Sequence, residues 1–296
     1  MELDILTLAA AFGGGAFSAA IGALPSFILS GIVATAGAVA SMAGGADYTA
    51  AYVAFGSFLG PHIAFAGGAA AAAFAKRRGK LESGMDIVTP LNKISDPLSY
   101  LVGGAFGVLG CLYYWLFSEV CHLGGDIDPK LYTDICALSV VAVGITARLI
   151  IGKSGLFGKY SPGEKRAFVS KGRAFWSNVI FGLALGLAVS GVGLYLQKLG
   201  VDTSSYPILC FGIAATGLVF TQMGQPYPTC HHIALPSALA ALMSGSIIAG
   251  ALTGVVCAVF GDFILNTFNN SHCDSHIDPP AFTLFVTTTL VYVIWA

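Results

Sequence analysis

The sequence predicts an all-α integral membrane protein of about ten transmembrane segments, and three observations carry that reading. Hydrophobic residues make up 56% of the 296-residue chain and charged residues only 10%. That is more apolar surface than one soluble core can hide, with too few charges to cover an exterior. Continuous Ala/Gly/Leu/Val/Ile runs recur from end to end, each near the roughly 20 residues that span a hydrocarbon core about 30 Å thick. The runs also lack the alternating polarity of barrel strands, which leaves the helix as the way to satisfy backbone groups in lipid.

Taken in order, the N-terminal stretch MELDILTLAAAFGGG carries acids where a signal peptide would carry Lys or Arg. Residues 5–24 therefore read as a retained first helix. Further segments are expected at 26–44, 48–76, 97–118 and 133–152, then at 174–196, 206–223, 226–244, 245–267 and 280–296. The third and eighth are irregular. The run from Tyr48 is too long for one upright helix and is interrupted at Gly60-Pro61, whereas its counterpart is short and introduced by GQPYPTC. Proline removes a backbone donor and clashes one turn back, so discontinuous or re-entrant helices are expected at 60–61 and 226–232.

Those two segments also carry an internal repeat. PHIAFAGGAAAAAFA from Pro61 matches HHIALPSALAALMSG from His231, with His62 falling on His232. Upstream, GIVATAG from Gly31 matches GIAATG from Gly212; downstream, Gly103-x-x-x-Gly107 matches Gly250-x-x-x-Gly254. CHLGGDIDP matches SHCDSHIDP, pairing His122 with His272 and Asp128 with Asp278. Four matches in one order divide the chain into a first five-segment repeat (1–152), a basic linker (153–173) and a second repeat (174–296). An odd count per repeat forces the second copy to enter the membrane inverted.

Charge gives an independent test. The linkers after segments three and five carry Lys76, Arg77, Arg78, Lys80 and Lys93, and Lys153, Lys159, Lys165, Arg166, Lys171 and Arg173, which is eleven of the fourteen basic residues. The positive-inside bias makes both linkers cytoplasmic and both termini external, in a bacterial or archaeal cytoplasmic membrane. The 153–173 linker reads as a solvated joint beside anionic headgroups, and Arg148, at the end of segment five, as a snorkelling side chain.

A helix that starts in mid-membrane presents free N–H groups and the positive end of its dipole there, tolerated only inside protein or beside a wet cavity. Gly60, Pro61 and His62 at one break and Thr229, His231 and His232 at the other therefore form the candidate solute site, suited to a small anion or a neutral amide-like molecule. His231 has no partner in the first half. Asp262, an acid inside a span, is a further candidate for facing a cavity.

The arrangement is similar to that of the five-plus-five inverted-repeat channels and transporters, urea transporters among them. Together with the broken segments this points to a channel or secondary transporter; the expected partners are membrane lipids, a small polar solute and further copies of the chain, and no nucleic acid. Against it stands a divalent-metal transporter using His272, Cys273, Asp274, His276 and Asp278, a ligand-rich loop for a borderline ion. No nucleotide loop, Asp-rich diphosphate motif or nucleophile–base pair is recognisable, so neither a cofactor nor an enzymatic activity is expected.

Overall fold

The structure, a computed structural model, describes residues 3–123 and 132–296 and contains only helices and loops among them. The helices are α1 Ile5–Ile21, α2 Ala23–Met42, α3 Ala64–Arg77, α4 Pro97–Trp115, α5 Ile135–Ile150 and α6 Arg173–Lys198. There follow α7 Tyr206–Thr216, α8 Val219–Gln222, α9 His231–Ser244, α10 Ile247–Phe268 and α11 Pro279–Trp295. A π-helical turn at Thr49–Ala54 precedes α3 and another, Leu116–Val120, extends α4. Four helical stretches are long and apolar enough to cross a membrane: Ala23–Met42, Pro97–Val120, Arg173–Lys198 and Ile247–Phe268. Shorter apolar stretches stand at Ile5–Ile21, Ile135–Ile150, Tyr206–Gln222 and Pro279–Trp295.

Helix starts are chemically marked. Asp4, Asp134, Ser246 and Asp278 each accept an N–H from the first turn of α1, α5, α10 and α11, offsetting donors that have no intrahelical partner. Between α1 and α2 the chain turns at Gly22 with φ 98°, where an added Cβ would also lie 3.0 Å from the Val88 carbonyl.

Glycine sets the closest helix pairs. A Cβ on Gly15 of α1 would overlap the Gly103 carbonyl of α4 and sit 3.0 Å from Gly107 Cα. In the other half, a Cβ on Gly182 of α6 would lie 2.5 Å from the Gly254 carbonyl of α10, and one on Gly186 2.9 Å from that of Gly250. Close backbone contact of this kind is how helices pack where small residues replace bulky side chains at the seam. Gly67 of α3 wedges into the first junction and Ser237 of α9 into the second. The Gly13–Gly15 run therefore packs at Gly14 and Gly15, the former against the Phe58 carbonyl and Ile63.

At one end of the molecule the polar segments knit together. Arg77 donates to the Ile150 and Ile151 carbonyls at 3.1 and 3.3 Å. Leu24 N–H reaches the Ile87 carbonyl at 2.8 Å, and Gln222 reaches Val88 at 3.2 Å. Two expectations are corrected here. Arg148 does not snorkel: it is fully buried, donating from Nε to Ser275 Oγ at 2.5 Å and from its other nitrogens to the carbonyls of Leu156, Phe268 and Ser275. Its partners are carbonyls that the 155–156 and 268–275 turns leave without helical donors, which outweighs the pull toward water. Nor is the 153–173 linker only a solvated joint. Its lysines are exposed, but Ser170 binds Asp262 through N–H and Oγ at 2.6 and 2.7 Å, and Arg166 lies over the Tyr160 ring at 4.6 Å. The opposite end is marked by the 2.8 Å Ser41–Ser205 hydroxyl contact.

Candidate functional site: two broken segments around two cavities

α3 and α9 have 14 residues each, about 21 Å at 1.5 Å per residue, too short for a hydrocarbon core of about 30 Å. Irregular backbone at 55–63 and 223–230 precedes them, and neither has a side-chain cap at its start. They finish at opposite ends. Arg77 closes α3 beside Ile150, whereas Ser244 closes α9 in a groove shared with Trp295, the last residue of α11.

Two cavities lie at the starts of these half-helices. The larger, about 400 Å³, reaches from Ile87, Val88 and Asp262 at the knitted end inward to Thr229, His231, His232 and Asp278. The smaller, about 30 Å³, is bounded by Pro61, Asp134, Cys136, His231 and Asp278 among apolar side chains. Phe27, Phe65, His231 and Asp278 line both and so form the partition between them. Phe27 packs edge-on to Phe65 with ring centres 5.6 Å apart and lies 4.8 Å from the His231 ring.

The candidate residues divide. Pro61 and His231, one from each break, meet at the small cavity; His231 is buried, with Nδ1 lacking a hydrogen-bond partner. Thr229, His232 and Asp262 line the large cavity. Asp262 is also the anchor of Ser170 and accepts from Asn266 at 3.1 Å, which ties it to the linker. His62 does not pair with His232 across a midplane: it lines neither cavity. Its ring stacks on Tyr114 at 4.8 Å, its Nδ1 contacts Cys136 Sγ at 3.2 Å, and Gly60 leaves room for the ring. His62 thus fastens the first break to α4 and α5. Pro236, fully buried within α9, has no N–H to offer the His232 carbonyl.

Asp134 escaped the sequence comparison. Identical letters paired Asp278 with Asp128, and Asp126, Asp128 and Pro129 lie outside the described residues. Capping was the available signal: Asp134 and Asp278 each stand three residues before an alanine whose N–H they accept, both at 2.8 Å. Phe27 and Phe65 gave no signal within unbroken apolar runs.

The metal-loop residues face different partners. His272 stacks on Tyr160 at 3.9 Å, Cys273 points to the Phe268 carbonyl, and His276 bridges Asn269 at 3.2 Å and Asp278 at 3.0 Å. Asp274 accepts from the N–H groups of Lys153 and Ser154 and from Ser154 Oγ at 2.5, 3.0 and 2.6 Å. Among the described residues no three His, Cys, Asp or Glu side chains converge on a metal position. Partial burial works to raise the Asp274 pKa, but the Ser154 and Lys153 hydrogen bonds and the Arg148 charge outweigh it and hold the carboxyl below its ordinary 3.8. A carboxyl lowered in the folded state stabilises above its unfolded value and loses that contribution as pH falls through the folded one. Protease cleavage within 151–172 is therefore expected to stay slow at neutral pH and to accelerate only below the ordinary carboxylate range. Asp274→Asn should leave cleavage fast at every pH; equal cleavage of both proteins would remove Asp274 from this role.

Fold and site together define an all-helical protein with several membrane-compatible helices and a buried cavity between two broken segments. The chain belongs to the family described as a family of unknown function, DUF7973, matched over residues 1–165 and 173–296. No curated protein and no solved structure is detectably similar to it.

Proposed function

We propose that this protein is a channel or secondary transporter that carries a small polar solute across a membrane between two inverted five-segment halves. The observation that carries the reading is the shared cavity: Pro61 from one break and His231 from the other line it together, at the starts of half-helices that run to opposite ends. Irregular backbone of this kind inside a membrane protein belongs where it lines a solute path.

The inverted-repeat reading draws further support from matched junctions. α3 wedges between α1 and α4 as α9 does between α6 and α10, with the paired Gly-x-x-x-Gly motifs at both contacts. Asp134 and Asp278 cap the last helix of each half in the same way, and the two matched family blocks separate within the linker, at 166–172. In this reading the knitted, basic end is cytoplasmic and the large cavity is a vestibule open toward it, closed beyond by Phe27, Phe65 and His231. The carboxylates of Asp262 and Asp278 on the large cavity and of Asp134 and Asp278 on the small one weigh against an anion and favour a neutral or cationic solute. A divalent-metal transporter through residues 272–278 is disfavoured because those side chains anchor the cytoplasmic loops.

Flux through proteoliposomes tests the proposal with a panel of urea, glycerol, ammonium, sodium, potassium and formate. At least one neutral or cationic solute should move faster than through protein-free vesicles. His231→Ala should slow it several-fold, up to about tenfold, the loss of one hydrogen bond of about 0.5–1.5 kcal/mol. Equal flux with and without protein for the whole panel would sink the reading.

A further inference from the structure

We propose that the small cavity between Asp134 and Asp278 is a binding site for one small monovalent cation, and that this cation is either the solute or the ion that drives it. The inference rests on the transport reading and narrows its chemistry. The volume, about 30 Å³, admits one or two water-sized bodies and no organic solute.

The walls set the sign of charge. Asp134 enters from the start of α5 and Asp278 from the start of α11. Thr133 donates to the Phe285 carbonyl at 3.1 Å, six residues along α11, which sets Asp134 about 9 Å further along the molecule than the start of that helix. The two acids therefore reach the cavity from different levels along α11. Asp278 has the His276 imidazole at 3.0 Å, whereas Asp134 is met by the Ala137 N–H at 2.8 Å. A carboxylate set among Phe55, Val140, Phe211 and Leu284 is costly to desolvate, and a small cation beside the two acids would offset part of that cost.

A second, independent observation points to a ligand. His231 is only 3% exposed and lines the same cavity, and its Nδ1 has no partner. The remaining lining is largely apolar, with Phe27, Phe55, Phe65 and Phe211 among it, so it supplies no positive group that an anion would need. Because the acidic groups stand apart rather than converging, with no three-ligand cluster, the ion is held loosely and is not a transition metal. His231 and Asp278 line both cavities, so an ion in the small cavity lies just behind the partition that closes the vestibule.

The test is thermal unfolding of the purified full chain in sodium, potassium or ammonium chloride, against choline chloride at equal ionic strength. Choline is too large for the cavity, and equal ionic strength holds general screening constant. At least one small cation should raise the midpoint saturably while choline does not, because a ligand that binds the folded state stabilises it. Asp134→Asn and Asp278→Asn keep an oxygen for the helix cap while removing the charge; each should weaken the cation at least tenfold. Identical midpoints in all four salts, or Asn variants that keep the full shift, would overturn the site. Should a variant not fold, the wild-type comparison of small cations with choline decides alone. A protein that conducts a neutral solute yet shows no cation shift would keep the transport reading and lose this one.

Discussion

Arg148→Met is expected to lower the stability of the detergent-purified protein by about 3–5 kcal/mol and to release the linker at 151–172 to protease. A guanidinium buried to 0% exposure makes hydrogen bonds to Ser275 Oγ and to the carbonyls of Leu156, Phe268 and Ser275. Methionine fills much of the volume but supplies no donor, so those carbonyls are left unpaired away from water. Each unsatisfied group costs about 1–3 kcal/mol, and neighbouring costs do not simply add. Lysine cannot rescue fully, since one ammonium lacks the planar fork that reaches three peptides at once. Arg148→Lys should therefore fall between the two. Wild-type unfolding and cleavage in Arg148→Met would show that the loops hold through Asp274 and Asp262 alone.

The apolar helices were legible because a chain this poor in charge must satisfy its own backbone, and helical runs follow, four of them long and apolar enough to cross a membrane. The breaks were legible too, since Gly60-Pro61 and the prolines of GQPYPTC interrupt otherwise continuous runs. What escaped was set by contacts far apart in sequence. Arg148 looked like a side chain reaching for water, yet its partners include Phe268 and Ser275, more than a hundred residues on. His62 matched His232 letter for letter, but position 114 holds a tyrosine that stacks on His62, while near His232 stands Gly261, whose added Cβ would lie 2.8 Å from Nε2. The same letter is therefore sealed in one half and open to a cavity in the other. His231, without a sequence partner, became the residue at the junction because its place at the start of α9 sets its ring against Phe27 and Phe211.

Phe27→Ala combined with Phe65→Ala is expected to raise passive flux through proteoliposomes by at least tenfold. The two rings pack edge to face at 5.6 Å and belong to the walls of both cavities, so truncating them removes part of the partition and joins the spaces. An apolar constriction gates by excluding water, and widening it lets water and ions enter together. Packing alone predicts something different. Phe27 and Phe65 are buried in the main apolar cluster, where each Phe→Ala change costs about 3–5 kcal/mol through lost contact and cavity formation. A purely structural pair would therefore give a less stable protein whose folded fraction leaks no faster than wild type. Measuring flux per folded molecule separates the outcomes, with folded protein counted by size-exclusion chromatography before reconstitution. Phe27→Leu provides a milder control: it keeps an apolar plug of smaller size, so stability should recover more than the seal does. A leak that rises in the double variant, partly in Phe27→Leu, and falls again when a small cation fills the Asp134–Asp278 cavity would tie the partition and the acidic site to one path. Unchanged flux per folded molecule in the double variant would make the aromatic pair core packing and move the gate elsewhere.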